Sequence, residues 1–133
     1  MTHITICREP FLSLMLTGVK KVESRFSKMR ALPFGQVARG DVIYLKKSGG
    51  PIVAICKAGK VEYCEIKNAK DLAALRKRFS KSICSEAEKG FWDKRKNARY
   101  ASFIELTHMK KIPPQTFKHK GRQGWVIKEN LQF

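Results

Sequence analysis

The sequence has few acidic residues and no long apolar run, and both features exclude classes of protein. Only 11 Asp and Glu residues stand against 28 Lys and Arg in 133 residues, so the net charge at pH 7 is +17. No apolar run approaches the roughly 18 residues of a membrane span. The N-terminus has neither the basic region nor the apolar stretch of a secretion signal. We therefore expect a cytoplasmic protein with no membrane partner.

The cysteine and histidine residues lack the spacing that predicts a metal site. The four cysteines and three histidines form no Cys-x-x-Cys pair and no His-x-x-x-His pair. Cys7, Cys56 and Cys64 lie in apolar segments, where a free cysteine behaves as a small buried apolar residue. Disulfides are rare in the cytoplasm. We predict no metal, no cofactor and no disulfide.

The apolar content is sufficient for one folded domain. Hydrophobic residues make up 43% of the chain and aromatic residues 10%, which argues against intrinsic disorder despite the high charge. A chain of this length typically forms one domain. We predict that residues 1–133 form a single domain.

Local patterns predict an α+β fold. Helices are expected after Pro10, which suits a first helical turn, from the capping residue Asn68, and from Ser85. Pro113 and Pro114 are expected to end the fifth strand. Because the strands are joined mostly by turns, we predict a small mixed β-barrel with two to three flanking helices. Alternation and β-branched runs place strands at 4–6, 22–26, 41–47, 52–64, 100–112 and 124–127.

The positive charge is spread along the chain and favours a polyanionic partner. The net charge is +6 in residues 1–66 and +11 in residues 67–133. Clustered Lys and Arg bind phosphates by displacing condensed counterions, so we predict RNA or another single-stranded nucleic acid as partner. Aromatic residues near basic clusters are typical of such binding, although large aromatics are more often core residues. The clusters are Arg76-Lys77-Arg78 with Phe79, Lys94-Arg95-Lys96 with Trp92, and Lys118-His119-Lys120 with Phe117.

The densest group of candidate functional side chains lies in residues 18–25. On a strand, Glu23 and Arg25 point to the same face, and Lys20 directly precedes that strand. Lys20 and Arg25 could bind a phosphate or polarise a carbonyl, while Glu23 could move a proton or bind an exocyclic amine. The alternative interpretation is an exposed strand face with an ordinary Glu23–Arg25 pair, which contributes little.

Three further residues are candidates for ligand binding. Lys46 and Ser48 belong to a basic, glycine-containing turn that could contact phosphates through side chains and backbone N–H groups. A plain hairpin connection explains that turn equally well. Arg122 lies close to Trp125, which we interpret as either a core residue or a cleft wall.

The pattern Gly18-x-Lys20-x-x-Glu23-x-Arg25 resembles the G-x-K-x-x-E-x-R signature of the ASCH domain family, in its stand-alone bacterial and phage form. Further segments resemble the same family, so the resemblance covers nearly the whole chain. It implies a PUA-like fold: a small, partly open β-barrel whose signature residues line a cleft for RNA or a nucleoside. The further segments are 6–11, 40–46, 48–50, 91–92, 100–101 and 121–125.

The resemblance also implies possible activities. Some small bacterial relatives are amidohydrolases that remove the acetyl group from N4-acetylcytidine, and another member has been assigned ribonuclease activity. The proposed catalytic lysine of the amidohydrolases corresponds to Lys20, but their signature has threonine in place of Glu23. Their further catalytic glutamate has two candidates here, Glu86 and Glu88.

We therefore predict an RNA- or nucleotide-binding protein with a cleft lined by Lys20, Glu23 and Arg25. One alternative is a hydrolase acting on a modified cytidine, or a ribonuclease, with Lys20 and Glu23 as catalytic residues. Another is a non-catalytic interaction module of a larger assembly.

Overall fold

The protein is built around one curved, six-stranded sheet. The computed structural model describes residues 1–119 and 121–129. The strand order is β2-β5-β4-β3-β1-β6, with β1 and β3 parallel and the other pairs antiparallel. This mixed half-barrel with two α-helices confirms the predicted α+β, PUA-like fold. The elements are β1 (Thr2–Cys7), α1 (Phe11–Leu16), β2 (Val22–Ser27), β3 (Val42–Lys47), β4 (Ile52–Glu65), α2 (Ala69–Phe79), β5 (Tyr100–Gln115) and β6 (Trp125–Lys128).

The start of α2 and the end of α1 each have a local physical cause. The Asn68 side chain accepts the N–H of Asp71 at 3.0 Å and so caps α2. After α1, Gly18 adopts a φ of +78°, a left-handed conformation that favours glycine. The Lys20 N–H then donates to the Leu14 carbonyl at 2.9 Å, so the chain turns directly into β2. Among the described residues, no helix is long and apolar enough to cross a membrane.

Buried side chains cover both faces of the sheet. Met15 of α1 packs with Leu45 and Ile104 on one side. On the other side, Phe103 of β5 stacks on Phe79 of α2, with ring centroids 3.8 Å apart. Ile104 and Phe103 are neighbours in β5 and therefore point to opposite faces. The sheet is thus fixed from both sides, which positions the side chains of β2 at its edge.

Two predictions of local structure are wrong. The segment after Ser85 forms two short 3-10 turns, Ser85–Ala87 and Asp93–Arg95, because Gly90 adopts a left-handed φ of +71° that interrupts a helix. The two prolines do not end β5, which continues to Gln115. They fall between the pairs Ala54↔Lys111 and Ile52↔Gln115, where the register shifts and a proline removes no ladder hydrogen bond.

Candidate functional site

Lys20, Glu23 and Arg25 come together at one end of β2. The Lys20 Nζ lies 3.7 Å from Glu23 Oε1, and the Arg25 Nη2 lies 3.4 Å from Glu23 Oε2. Lys20 is 3% exposed and Glu23 is 6% exposed, so the cluster is not an exposed strand face. Arg25 Nη2 donates a long hydrogen bond to the Glu23 carboxylate, whereas the Lys20 ammonium forms an ion pair with it but no hydrogen bond. The carboxylate therefore lies between two cations.

Backbone groups hold the first two residues of this triad. The Lys20 Nζ donates to the Ile83 carbonyl at 2.8 Å and lies 5.1 Å from the centre of the Phe11 ring. The Glu23 Oε1 accepts the N–H of Ser24 at 2.9 Å. An ammonium has three donors and a carboxylate has about four acceptor positions. Each group therefore keeps hydrogen-bonding capacity for a ligand.

Arg25 joins two parts of the curved sheet. Its Nη2 donates to Thr5 Oγ1 and, at 3.0 Å, to the Ile6 carbonyl, both on β1. Its guanidinium lies 5.7 Å from the Trp125 ring of β6. The Arg25 Nε is buried and has no acceptor among the described residues. Leaving a buried donor unpaired costs about 1–3 kcal/mol, so an acceptor supplied by a ligand would relieve that cost.

Gly124 allows this close approach of Arg25. A Cβ atom at position 124 would lie 2.4 Å from Arg25 Nη1. We expect Gly124→Ala to displace the guanidinium and to lower the free energy of unfolding by about 1–3 kcal/mol, the usual cost of overpacking. Urea denaturation would measure the loss. Gly50→Ala is the control, since its nearest contact, Lys47 Cβ, is at 3.2 Å. Equal stability of Gly124→Ala and wild type would show that Arg25 is not confined there.

Charge and burial set the protonation of the triad. Burial alone would raise the pKa of Glu23, but the nearby Arg25 and Lys20 charges outweigh it, and the pKa lies below its ordinary value. Burial lowers the pKa of Lys20, and the neighbouring Glu23 charge only partly opposes this shift. Glu23 is therefore a carboxylate at neutral pH, and Lys20 loses its proton more readily than an exposed lysine.

A cleft of about 90 Å³ lies over the triad. Its lining includes Arg8, Phe91 and Arg95, which the sequence alone did not assign to the cleft. The guanidinium carbon of Arg95 lies 3.6 Å from the centre of the Phe91 ring. The Glu88 carboxylate pairs with Arg95 Nη1 at 2.8 Å and with Arg8 Nη2 at 2.5 Å. The sequence contains a signal for these residues. Arg8 directly follows β1, and the basic cluster Lys94-Arg95-Lys96 follows Phe91.

The two candidate glutamates lie outside the lining of this cleft. Glu88 is held by the two arginines at the rim, and its pKa lies below the ordinary value because these contacts outweigh the effect of burial. Glu86 is exposed on the turn that precedes it. A catalytic role of either residue stays a prediction.

Two cysteines near the triad, Cys7 and Cys56, are poor nucleophiles. Burial raises the pKa of both Cys7 and Cys56 to about 12, and the Glu23 charge adds to the effect. Both thiols are therefore protonated at neutral pH. Within residues 1–119 and 121–129, no three His, Cys, Asp or Glu side chains form a group that could hold a metal ion.

The other three predicted binding residues are not part of the cleft lining. Lys46 is 7% exposed and pairs in register with Ile6, which does line the cleft. Ser48 is exposed in the turn after β3, and its N–H donates to the Cys7 carbonyl at 2.8 Å. Arg122 is exposed shortly before β6. Ligand binding by these residues stays a prediction.

Trp125 is a core residue that supports the site. It is 2% exposed, and its indole Nε1 donates to His3 Nδ1 at 3.1 Å. The His3 Nε2 lies 2.9 Å from Asp41 Oδ2. Because Nδ1 accepts a hydrogen bond, Nε2 carries the proton and donates it to Asp41. This chain of hydrogen bonds fixes the indole beneath Arg25.

Comparison of structures identifies the fold. No protein-family model matches the sequence, and no curated protein matches it. The structure is similar to a crystal structure of an ASCH protein from Zymomonas mobilis, with a TM-score of 0.70, 12% identity, and coverage of 94% of this chain and 85% of that one. Two point variants of that protein match with TM-scores of 0.70 and 0.71, also at 12% identity, covering 94% of this chain and 88% and 86% of theirs. The chain therefore has the fold of these ASCH proteins.

Proposed function

We propose that this chain, which has the ASCH fold, binds RNA by taking the base of one nucleotide into the cleft over Lys20, Glu23 and Arg25. The observation that carries the proposal is a buried carboxylate between two cations, next to a buried arginine donor without an acceptor in the described part of the chain. Buried polar groups are normally paired. A site that combines an ionised acceptor with an unpaired donor matches the mixed hydrogen-bonding edge of a nucleobase.

Each group in the cleft has a role in this complex. Glu23 accepts hydrogen bonds from an exocyclic amine, and the Arg25 Nε donates to a ring nitrogen or carbonyl. Phe91, with Arg95 stacked on it, forms an aromatic wall. Arg8, whose side chain is 65% exposed, lies where a phosphate outside the cleft could be bound.

The size of the cleft limits what enters it. Its volume of about 90 Å³ is well below the roughly 300–1,000 Å³ of pockets that enclose drug-sized ligands. One end of a nucleotide fits, and the sugar and phosphate remain outside. A net charge of +17 then favours a nucleotide within a polyanionic strand over a free, neutral nucleoside.

A second candidate is hydrolysis of an acylated cytidine, because the buried Glu23 carboxylate lies 3.7 Å from the Lys20 Nζ. In the reaction, water adds to the acetyl carbonyl of N4-acetylcytidine, the bond to N4 breaks, and acetate and cytidine form. Glu23 would take a proton from the water and return it to N4, while the Lys20 ammonium would stabilise the negative oxygen. Cleavage of RNA itself is a further possible activity of the same groups.

One set of samples tests both candidates. We expect Lys20→Met to weaken binding of a short fluorescent RNA at least tenfold, because it removes a buried cation beside Glu23. Lys21→Met is the matched control, since Lys21 is exposed and adjacent in sequence. Fluorescence anisotropy at 50 and 200 mM salt gives the dissociation constants, and thermal denaturation confirms that both variants are folded.

The same proteins are then incubated with N4-acetylcytidine and with labelled RNA, and the products are separated by chromatography. Cytidine or RNA fragments formed by wild type and Lys21→Met, but not by Lys20→Met, would establish an enzyme. RNA binding without turnover would support the binding role alone. Equal RNA affinity of a folded Lys20→Met and wild type would contradict the proposed site.

A further inference from the structure

A second, larger groove lies between α2 and residues 92–99. It has a volume of about 670 Å³, and Asp93 is the one acidic residue in its lining. Five basic side chains line it, all exposed, and none forms an ion pair with a carboxylate in the described part of the chain. By contrast, four glutamates elsewhere in the structure form ion pairs with other basic residues. They are Glu23, Glu62, Glu65 and Glu88. The five are Lys28, Lys67, Arg76, Lys96 and Arg99.

The floor of this groove is largely apolar and aromatic. Leu72 and Ala98 line it together with Trp92, which is 7% exposed. The Trp92 Nε1 is buried and has no acceptor among the described residues. The side chains of Asn68 and Asn97 add polar groups to the lining. Basic rims around an aromatic and apolar floor are typical of grooves that bind single-stranded nucleic acid.

A shallow depression connects this groove with the cleft. The depression has a volume of about 390 Å³ and shares Arg76, Trp92 and Asp93 with the groove. It shares Phe91 with the cleft. The three concave regions are therefore neighbours along the segment after α2. The lining of the depression also includes two glutamates, so a strand whose base occupies the cleft would cross the depression and meet the cations again in the groove.

We propose that the basic groove binds the phosphodiester backbone of the strand that continues from the nucleotide in the cleft. This inference rests on the proposed function and extends it: the ligand is a single strand several nucleotides long, bound at two places. The cleft binds one base, and the groove binds phosphates without reading sequence. The five cations, which have no carboxylate partner within the described residues, then acquire anionic partners from the ligand.

A triple substitution tests the groove. Lys67→Gln, Lys96→Gln and Arg99→Gln together remove three positive charges from its lining. Lys57→Gln, Lys110→Gln and Lys111→Gln remove the same charge from exposed positions outside the groove, the depression and the cleft. Dissociation constants are measured for RNA and DNA oligonucleotides of one, two, four and eight nucleotides at several salt concentrations.

We expect wild-type affinity to rise with oligonucleotide length. The groove variant should keep the mononucleotide affinity of wild type and lose most of the gain with length. The slope of log affinity against log salt should fall by about 0.7 for each phosphate that the variant no longer neutralises, and thus by about 2 for three phosphates. The control should keep both the length dependence and a slope close to that of wild type.

Three results would overturn the inference. They are an equal loss in the control, an unchanged length dependence in a folded groove variant, and binding to anionic lipid vesicles in preference to both oligonucleotides. Failure of the cleft proposal has a different signature. In that case wild type would not bind a mononucleotide, while longer strands would still depend on the groove residues. Comparison of RNA with DNA shows whether the bound strand is read through its 2′-hydroxyls or through phosphates alone.

Discussion

Replacing Glu23 with Gln should lower the free energy of unfolding by about 3–5 kcal/mol at pH 7, the usual cost of breaking a buried ion pair. Glu23 is 6% exposed and is the carboxylate between Lys20 and Arg25. The amide of Gln keeps the size and the contact with the Ser24 N–H. It removes the negative charge and leaves two cations without compensation. Urea denaturation followed by tryptophan fluorescence would measure the difference.

The difference in unfolding free energy between wild type and Glu23→Gln should become smaller as the pH falls. The pKa of Glu23 in the folded protein lies below its ordinary value of 4.5, so the carboxylate stabilises the folded state above that pH. The stabilisation is lost as the pH falls through the folded-state pKa, because both states are then protonated. The gap between wild type and Glu23→Gln should therefore be widest above pH 5 and shrink below pH 4.5.

Glu65→Gln is the matched control for this experiment. Glu65 forms an ion pair with Arg30 at 2.9 Å, and both side chains are about half exposed or more. Exposed pairs contribute about 0–1 kcal/mol, so this variant should unfold within 1 kcal/mol of wild type. Similar losses at both positions, or a gap that does not change with pH, would show that the Glu23 charge is not buried in a compensated triad.

The sequence predicts most of the secondary structure because its local signals agree with the tertiary structure. Alternation in residues 22–26 places Glu23 and Arg25 on one face, and the structure brings both to Lys20. The Asn68 cap is found where the pattern predicts it. These features depend on neighbours within a few residues, where periodicity and capping chemistry are informative.

The parts that could not be predicted depend on contacts between residues distant in sequence. Nothing local indicates that Arg25 would reach Thr5 or that Gly124 would leave room for it. The turns after Ser85 follow a helix-like pattern, but Phe91 and Trp92 pack against Phe26 of β2 instead. Two of the predicted basic clusters contribute Arg76 and Lys96 to the basic groove, but the groove itself could not be predicted, because its five cations come from four separate segments that only the fold brings together.

Trp125→Phe should cost more stability than Trp92→Phe, although both tryptophans are buried. Trp125 is 2% exposed and Trp92 is 7% exposed, so the loss of packing is similar. The Trp125 indole donates to His3 Nδ1, whereas the Trp92 indole has no acceptor in the described part of the chain. Loss of the donor leaves the buried His3 nitrogen unpaired, which adds about 1–3 kcal/mol. Trp125→Ala, which also leaves a cavity, should cost about 3–5 kcal/mol.

The same pair of substitutions separates the two proposed binding regions. Trp125 lies beneath Arg25, so Trp125→Phe should loosen the guanidinium and weaken mononucleotide binding. Trp92 lines the groove, and Trp92→Phe reduces the aromatic surface of its lining. We therefore expect affinity for eight-nucleotide strands to fall while mononucleotide affinity stays unchanged. Urea denaturation and anisotropy on the same samples measure both effects. Equal stability losses at the two positions would contradict a structural role for the Asp41–His3–Trp125 hydrogen bonds, because then packing alone would account for the cost.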